Sequence, residues 1–121
     1  MFINGKWIAA STGGSFDVLN PATGDVIRQV PDGGAAEATQ AIEAAETAFR
    51  GWSQTTAYQR SAYLYKAYQI MMERKEDLAR TMTEEQGKPL KAARNEVQYG
   101  ADFLLWYAEE AKRINGEILP S

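Results

Sequence analysis

The sequence contains no cysteine and no histidine among its 121 residues. The absence of cysteine excludes a thiolate nucleophile, a disulfide and a cysteine-bound metal ion within this chain. The absence of histidine removes the side chain that most often moves protons near neutral pH and most often binds transition metals. The chain therefore lacks the groups on which the common nucleophilic and metal-dependent enzymes rely.

Long apolar runs and basic clusters are missing as well. The apolar runs are only a few residues long, whereas a membrane helix needs roughly 20 residues. The first residues show no basic segment followed by an apolar run, the pattern of a signal peptide. The 13 lysines and arginines are scattered among 16 acids, and the net charge is −3, which argues against a nucleic-acid-binding face. We therefore expect a cytoplasmic protein that binds neither nucleic acid nor membrane.

What is present indicates one globular domain of mixed structure. The chain is 45% hydrophobic and 24% charged, an ordinary globular composition, and its length suits a single domain. Turn signals dominate residues 1–31, and helical spacing dominates residues 34–114. The pattern predicts an α+β segment: an N-terminal β-hairpin and short strands, followed by four helices.

The strand region contains two turn signals. Asn4-Gly5 stands between Phe2-Ile3 and Lys6-Trp7-Ile8, and Asn-Gly favours the type I′ turn of a tight hairpin. The turn-forming residues 20–25 separate two β-prone runs, 16–19 and 26–30. Which strands pair is left open by the pattern.

The first two predicted helices each carry one apolar stripe. The first starts after Gly34, and its many alanines suggest a close approach to a neighbouring element; the stripe comprises Ala38, Ala41, Ile42, Ala45 and Phe49. Thr56 and Gln59 form a capping box at the start of the second helix. Its predicted buried stripe comprises Tyr63, Leu64, Ala67, Ile70 and Met71.

The third and fourth predicted helices meet at a glycine and a proline. Gly87 suits the left-handed position that ends the third helix, near residues 75–86. Pro89 opens the fourth, where its missing N–H costs nothing. The predicted buried stripe of the fourth helix comprises Leu90, Ala93, Val97, Ala101, Leu104, Ala108 and Ala111. Because the β-prone pair Ile118-Leu119 comes just before the end, we expect the chain to be part of a longer protein.

The residues offer little catalytic chemistry of their own. The acid pairs 84–85 and 109–110 are helix neighbours that point about 100° apart, so solvated surface is their favoured interpretation. Glu109 and Arg113, four apart, are expected to form a weak exposed ion pair. Gly33-Gly34 precedes a helix whose free amides could hold an anion; the alternative is a plain turn with Gly34 as N-cap.

Several short motifs, in order along the chain, resemble one family. The start, Phe2-Ile3-Asn4-Gly5-Lys6-Trp7, resembles the N-terminal hairpin of aldehyde dehydrogenases. Asn20-Pro21-Ala22-Thr23-Gly24-Asp25-Val26-Ile27 resembles their "NPATGEVI" turn. Further matches are the segment 45–49 with Trp52, Glu73 to Ala79, Gly87-Lys88-Pro89-Leu90, Trp106 to Ala111 and Ile114 to Glu117. The resemblance covers nearly the whole chain and is strongest to the succinate-semialdehyde dehydrogenase branch.

The resemblance implies a scaffold rather than a complete enzyme. Residues 1–121 would be the N-terminal part of a Rossmann-like cofactor-binding domain within the α/β fold of the family, with the catalytic domain absent. Family members use a cysteine nucleophile, a glutamate base and an asparagine that stabilises the oxyanion, and they pass hydride to NAD or NADP. All of these would lie in later sequence. The intact protein would oxidise an aldehyde, with succinic semialdehyde as the candidate, as a homo-oligomer; this chain alone is expected to bind no cofactor and to be inactive.

Two sets of positions carry over from the family. Asn95 and Tyr99 match residues that line the mouth of the substrate tunnel, although Tyr99 could equally pack against the rest of the protein. Val18, Leu19 and Glu85 match positions that bind a monovalent cation in some members, and oxygen ligands of this kind suit a hard cation. The alternative for Glu85 is a plain surface acid.

Two hypotheses follow. The first is a piece of an NAD(P)-dependent aldehyde dehydrogenase. The second is a free-standing, non-catalytic helical module of the same ancestry that binds a partner or another copy of itself. Neither the choice between NAD and NADP nor the aldehyde can be read from these residues.

Overall fold

The computed structural model describes residues 1–117 and Leu119. They form two compact units: residues 1–54 with 84–87, and residues 55–83 with the chain from Lys88 onward. The predicted β-prone pair 118–119 cannot be compared with the structure as a pair, because Ile118 lies outside the described residues.

The first unit opens with the predicted hairpin. Strand β1 (Phe2–Ile3) pairs antiparallel with β2 (Lys6–Trp7). Asn4 (φ 50°) and Gly5 (φ 74°) take the two left-handed positions of the turn, as the Asn-Gly signal predicts. The hairpin is closed by Met1, whose ammonium donates to the Ile8 carbonyl and whose carbonyl accepts from the Ile8 amide, both at 2.8 Å.

A second antiparallel pair completes the β part of this unit. Strand β3 (Ser15–Leu19) pairs with β4 (Val26–Pro31), and the register shifts between Val18 and Leu19. In the turn between the strands, the Asn20 side chain accepts from the Ala22 amide at 2.9 Å. The predicted strands and turn are therefore confirmed, and the structure supplies the pairing that the sequence left open.

Helix α1 (Ala35–Trp52) follows, with Gly34 as its N-cap. The helix ends at Trp52, and the amide of its C-cap Ser53 donates to the Phe49 carbonyl. The predicted close approach of its alanine-rich stripe is wrong for the described residues: the three alanines are exposed, and Ile42 and Phe49 are 68% and 62% exposed. Spacing identifies which face of a helix is apolar, but it does not identify what covers that face.

The second unit is helical. Helix α2 (Ala57–Glu73) begins with the predicted capping box, in which the Gln59 amide donates to the Thr56 hydroxyl at 3.2 Å. Helix α3 (Lys75–Gln86) ends before Gly87, which has the predicted positive φ of 71°. Helix α4 (Leu90–Glu110) follows Pro89, and a short 3-10 helix, Ala111–Arg113, ends the described helices.

The core of this unit lies along one side of α4. The predicted α4 stripe is buried or half-buried throughout, and Ala93, Val97, Ala101 and Ala108 are its fully covered members. Ala79 of α3 packs against Ala93 and Val97, with Met71, Leu78, Met82 and Leu90 around them. The predicted α2 stripe is only partly correct, because Tyr63 and Ile70 are 65% and 41% exposed.

The expected ion pair between Glu109 and Arg113 is wrong, because both residues form ion pairs with other partners. Arg113 pairs with Glu110 at 2.5 Å, and Lys112 pairs with Glu109 at 3.1 Å. Both pairs are three residues apart, because the chain tightens here from an α-helix into a 3-10 helix with three residues per turn. None of the helices formed by residues 1–117 is long and apolar enough to cross a membrane.

Candidate functional site

The face of α4 opposite its buried stripe carries Asn95 and Tyr99. Both side chains are exposed, Tyr99 by 64%, and residues four apart lie on the same side of a helix. The structure therefore presents the two tunnel candidates on one surface that the described core does not use.

Tyr99 begins a row of aromatic rings along this face. Its ring meets that of Phe103 edge-on, with centroids 4.7 Å apart and planes at 80°. Phe103 in turn lies parallel to Tyr107 at 6.4 Å, and Trp106 beside them is 64% exposed. Together with Asp102 these rings line a shallow groove of about 290 Å³. A continuous row of exposed rings is rare on a surface that stays in water, so this face is suited to being covered.

The one carboxylate in the groove is held in place by a chain of hydrogen bonds. The Lys75 ammonium donates to the side-chain oxygen Oε1 of Gln98 at 2.8 Å, and the side-chain nitrogen Nε2 of Gln98 donates to the Asp102 carboxylate at 2.8 Å. Asp102 consequently has a defined position next to the aromatic row, although it is exposed.

Ion pairs fix the first turns of α4. Arg94 donates two hydrogen bonds to the Glu76 carboxylate, at 2.8 and 2.7 Å, and Arg80 approaches the same group at 3.1 Å. The hydrogen bonds from Arg94 hold the pKa of Glu76 below its usual value, with a smaller contribution from Arg80. Lys88, just before the helix, pairs with Glu96. These contacts orient the segment on which Asn95 and Tyr99 stand.

The cation candidates lie on two segments of the first unit. Val18 and Leu19 end β3 at the irregularity in its pairing, and Glu85 is an exposed acid in the last turn of α3. The two segments approach each other through their neighbours, since Gly87 packs against the Pro21 ring. Within residues 1–117 and Leu119, no three acidic side chains cluster as a metal site; the candidate set differs in kind, because it uses two backbone oxygens and one carboxylate.

The N-terminus of α1 shows an arrangement that the sequence pattern does not predict. Glu37 is 6% exposed, and its carboxylate accepts from the Ser11 amide at 2.7 Å and from the Gly34 amide at 2.8 Å. Hydrogen bonding by Ser11, and then by Gly34, lowers the pKa of Glu37 to about 2. A glutamate three residues after a glycine N-cap is a weak cue for this role, since only the tertiary contact with Ser11 buries it.

This arrangement also decides between the two interpretations of Gly33-Gly34. The Gly34 amide, which could have faced an anion, is already bound to the Glu37 carboxylate, and a second negative charge there would be repelled. The start of α1 therefore does not fit a nucleotide phosphate, and Gly34 serves as a plain N-cap.

Comparison with known proteins assigns the chain. The sequence profile of the aldehyde dehydrogenase family matches residues 7–121. The chain belongs to the aldehyde dehydrogenase family. This aldehyde dehydrogenase chain is 51% identical over 119 residues to a glutarate-semialdehyde dehydrogenase of Pseudomonas putida, covering 98% of the chain and 25% of the relative. It is 48% identical over 118 residues to the NADP(+) succinate-semialdehyde dehydrogenase of Escherichia coli, covering 98% and 24%.

The fold agrees with this assignment. A crystal structure of an Escherichia coli NADP-dependent enzyme superposes on 99% of the aldehyde dehydrogenase chain and 25% of its own, with a TM-score of 0.96 and 48% identity. The resemblance and the α+β arrangement expected from the motifs are thus confirmed. The chain spans about a quarter of the length of the relatives it matches.

Proposed function

We propose that residues 1–121 are the N-terminal scaffold of the cofactor-binding domain of an NAD(P)-dependent aldehyde dehydrogenase. The whole protein would oxidise a semialdehyde, such as succinic or glutaric semialdehyde, to the carboxylic acid. The observation that carries this proposal is the 48–51% identity to two semialdehyde dehydrogenases across 98% of the chain. Homo-oligomeric assembly and a cytoplasmic location belong to the same proposal.

The residues of the chain determine which part of the function it can supply in the whole enzyme. With no cysteine and no histidine, it has neither a thiol nucleophile nor the usual proton acceptor. The start of α1 is already occupied by the Glu37 carboxylate, and the sequence has no Gly-rich phosphate-binding motif; we infer that the nicotinamide dinucleotide is bound by other parts of the whole protein. The role left to this chain is to hold α4 and its exposed face in a fixed position beside the site.

On that face we assign Asn95 and Tyr99 to the mouth of the substrate tunnel. Their support is their joint exposure on one side of α4, at the start of an aromatic groove. The alternative assignment for Tyr99 is packing against the remainder of the protein. Substitution of a tunnel residue should lower kcat/KM for the aldehyde and leave the KM for NAD or NADP constant.

We also propose that the backbone oxygens of Val18 and Leu19 and the carboxylate of Glu85 bind a monovalent cation. Oxygen ligands suit such a hard ion. The packing of Gly87 against Pro21 supports the proposal, because it brings together the two segments that carry these oxygens.

A chimera tests the scaffold function. The matching segment of the Pseudomonas putida glutarate-semialdehyde dehydrogenase is replaced by this chain, and reduction of NAD or NADP is followed with succinic and glutaric semialdehyde. We expect activity within about tenfold of the parent enzyme, because a scaffold of the same fold positions the same site. The parent enzyme without this segment and the 121-residue chain alone are the controls, and both should be inactive. A soluble, folded chimera without activity, or turnover by the chain alone that survives further purification, would contradict the proposal.

A further inference from the structure

The first 13 residues, here named the N-terminal strap, expose both of their aromatic side chains. The strap comprises the β1–β2 hairpin and a loop in which the Gly13 amide donates to the Ala10 carbonyl at 2.9 Å. Phe2 and Trp7 on the hairpin are 60% and 82% exposed, and the apolar burial of the strap is limited to half-buried Met1, Ile3 and Ile8 and to Ala10 in the loop. A two-stranded hairpin is marginally stable in water by itself. Something else must hold the strap.

The Glu37 carboxylate is the polar contact between the strap and α1. One oxygen binds the Ser11 amide, 26 residues earlier in the chain, and the other binds the Gly34 amide at the N-cap. A charged acceptor strengthens both bonds, and the 6% exposure of Glu37 keeps water from replacing it. A single side chain therefore caps the helix and fastens the loop.

An apolar contact assists at the other end of the strap. Met1 packs over Gly33 so closely that a Cβ atom at position 33 would collide with the methionine sulfur. Gly33 is adjacent to the N-cap Gly34. The hydrogen bond of Glu37 to Gly34 and the contact of Met1 with Gly33 thus lie at the same turn, between β4 and α1.

We propose that Glu37 is the anchor that holds the N-terminal strap on α1, and that removing its charge releases the strap while the helices stay folded. The Glu37→Gln side chain keeps one acceptor oxygen but replaces the other with an NH2 donor. One of the two amides would then face a donor in a covered site, and that contact fails. Glu37 is a positioning residue in this proposal, with no part in the chemistry of the whole enzyme.

Hydrogen–deuterium exchange of the 121-residue chain, resolved by peptide, tests the proposal. In Glu37→Gln we expect the Ser11 amide and the hairpin amides to exchange roughly 10- to 100-fold faster, the effect of losing a charge-assisted bond of a covered group. Amides of α4 should change by less than about twofold, since local opening leaves distant elements protected. Glu46→Gln, an exposed acid on the same helix, is the matched control and should leave the strap unchanged.

Two outcomes would overturn the proposal: unchanged protection of the strap in Glu37→Gln, or an equal rise in the strap and in α4, which indicates general destabilisation. If Glu37→Gln fails to fold, exchange of the unaltered chain in low concentrations of denaturant gives the answer. The strap amides should open together, at least about tenfold more readily than those of α4. Opening of both at the same rate would exclude an independently released strap.

Discussion

The ring of Pro21 lies against Gly87, so that a Cβ atom at position 87 would stand 3.1 Å from the proline Cγ. Gly87 also has a φ of 71° and ends α3. Two independent constraints, a left-handed backbone and a tight contact, therefore require glycine here.

Gly87→Ala should lower the free energy of unfolding by about 1–2 kcal/mol, because alanine is strained at positive φ and its methyl group meets the Pro21 ring. Urea unfolding followed by circular dichroism measures the change. Gly51→Ala is the matched control: its Cβ meets nothing within 4 Å, and alanine within a helix gains up to about 1 kcal/mol over glycine. Equal effects at the two positions would disprove the steric explanation.

The cation proposal predicts ion-specific stabilisation. At equal ionic strength, sodium or potassium should raise the melting temperature of the chain relative to tetramethylammonium, an ion too large for a site of small oxygen ligands. At about ten times the dissociation constant, the gain is about 1.4 kcal/mol. Glu85→Gln should abolish the difference and Glu84→Gln, an exposed neighbour, should keep it. If sodium, potassium and tetramethylammonium stabilise the unaltered chain equally, there is no cation site.

Glu37 should make the free energy of unfolding decrease at acid pH. Its pKa is about 2 in the folded chain against an ordinary 4.5, so its stabilising effect is complete above the ordinary value and is lost as the pH falls from about 4.5 towards 2. Glu76, whose pKa is also lowered, contributes a second acid-sensitive term that Glu37→Gln leaves in place. The free energy of unfolding, measured in urea near pH 7 and near pH 3, should therefore fall less in Glu37→Gln than in the unaltered chain. An identical fall in both proteins would show that the carboxylate is not responsible.

The tunnel assignment predicts a kinetic effect in the chimera. Tyr99→Ala should lower kcat/KM for the semialdehyde by about tenfold or more, because a side chain that positions the substrate contributes to transition-state binding. Asn95→Ala should act in the same direction, and the KM for NAD or NADP should stay constant in both. Tyr58→Ala on α2, where the ring is 75% exposed, is the control. Unchanged kcat/KM in Asn95→Ala and Tyr99→Ala would favour packing of Tyr99 against the rest of the protein.

The exposed aromatic row predicts self-association of the 121-residue chain. Burying one large apolar side chain is worth roughly 1.5–3 kcal/mol, so several exposed together favour a covering partner. Sedimentation velocity should show species larger than the monomer, and the paired change Phe103→Lys with Trp106→Lys should reduce them. Tyr58→Lys should not. A monomer with a sharp, reversible melting transition would contradict this prediction and favour a free-standing module whose helices satisfy one another.

The local signals in the sequence predicted local structure well. Asn4-Gly5 gave the hairpin turn, Thr56 with Gln59 gave the start of α2, and Gly87 gave the end of α3, each now seen in the structure. These features depend on one or two residues and on backbone geometry that few side chains allow. The prediction of the α4 stripe is confirmed for a related reason, because its regular spacing over 21 residues leaves one face for the core.

Apart from the ion pair at the end of α4, the sequence failed to predict which other part of the chain contacts a given side chain. The α1 stripe is apolar yet exposed, and Glu37 is charged yet buried. The partner of Glu37 is a loop amide 26 residues away, which no spacing within the helix encodes. The tunnel and cation candidates came from family resemblance alone, since neither exposed Asn95 nor exposed Glu85 has a pattern that distinguishes it from ordinary surface.

The covered hydrophobic side chains of the described residues are all small: five alanines, at positions 10, 79, 93, 101 and 108, and one valine, Val97. At these positions the volume of the side chain is restricted more strongly than its hydrophobicity. Over evolutionary time, Ala79 and Ala93 should accept glycine or serine more readily than leucine or phenylalanine. Substitutions at these positions would then be restricted by side-chain size. The exposed bulky positions of α4 would change in sequence no faster than the surface that covers them.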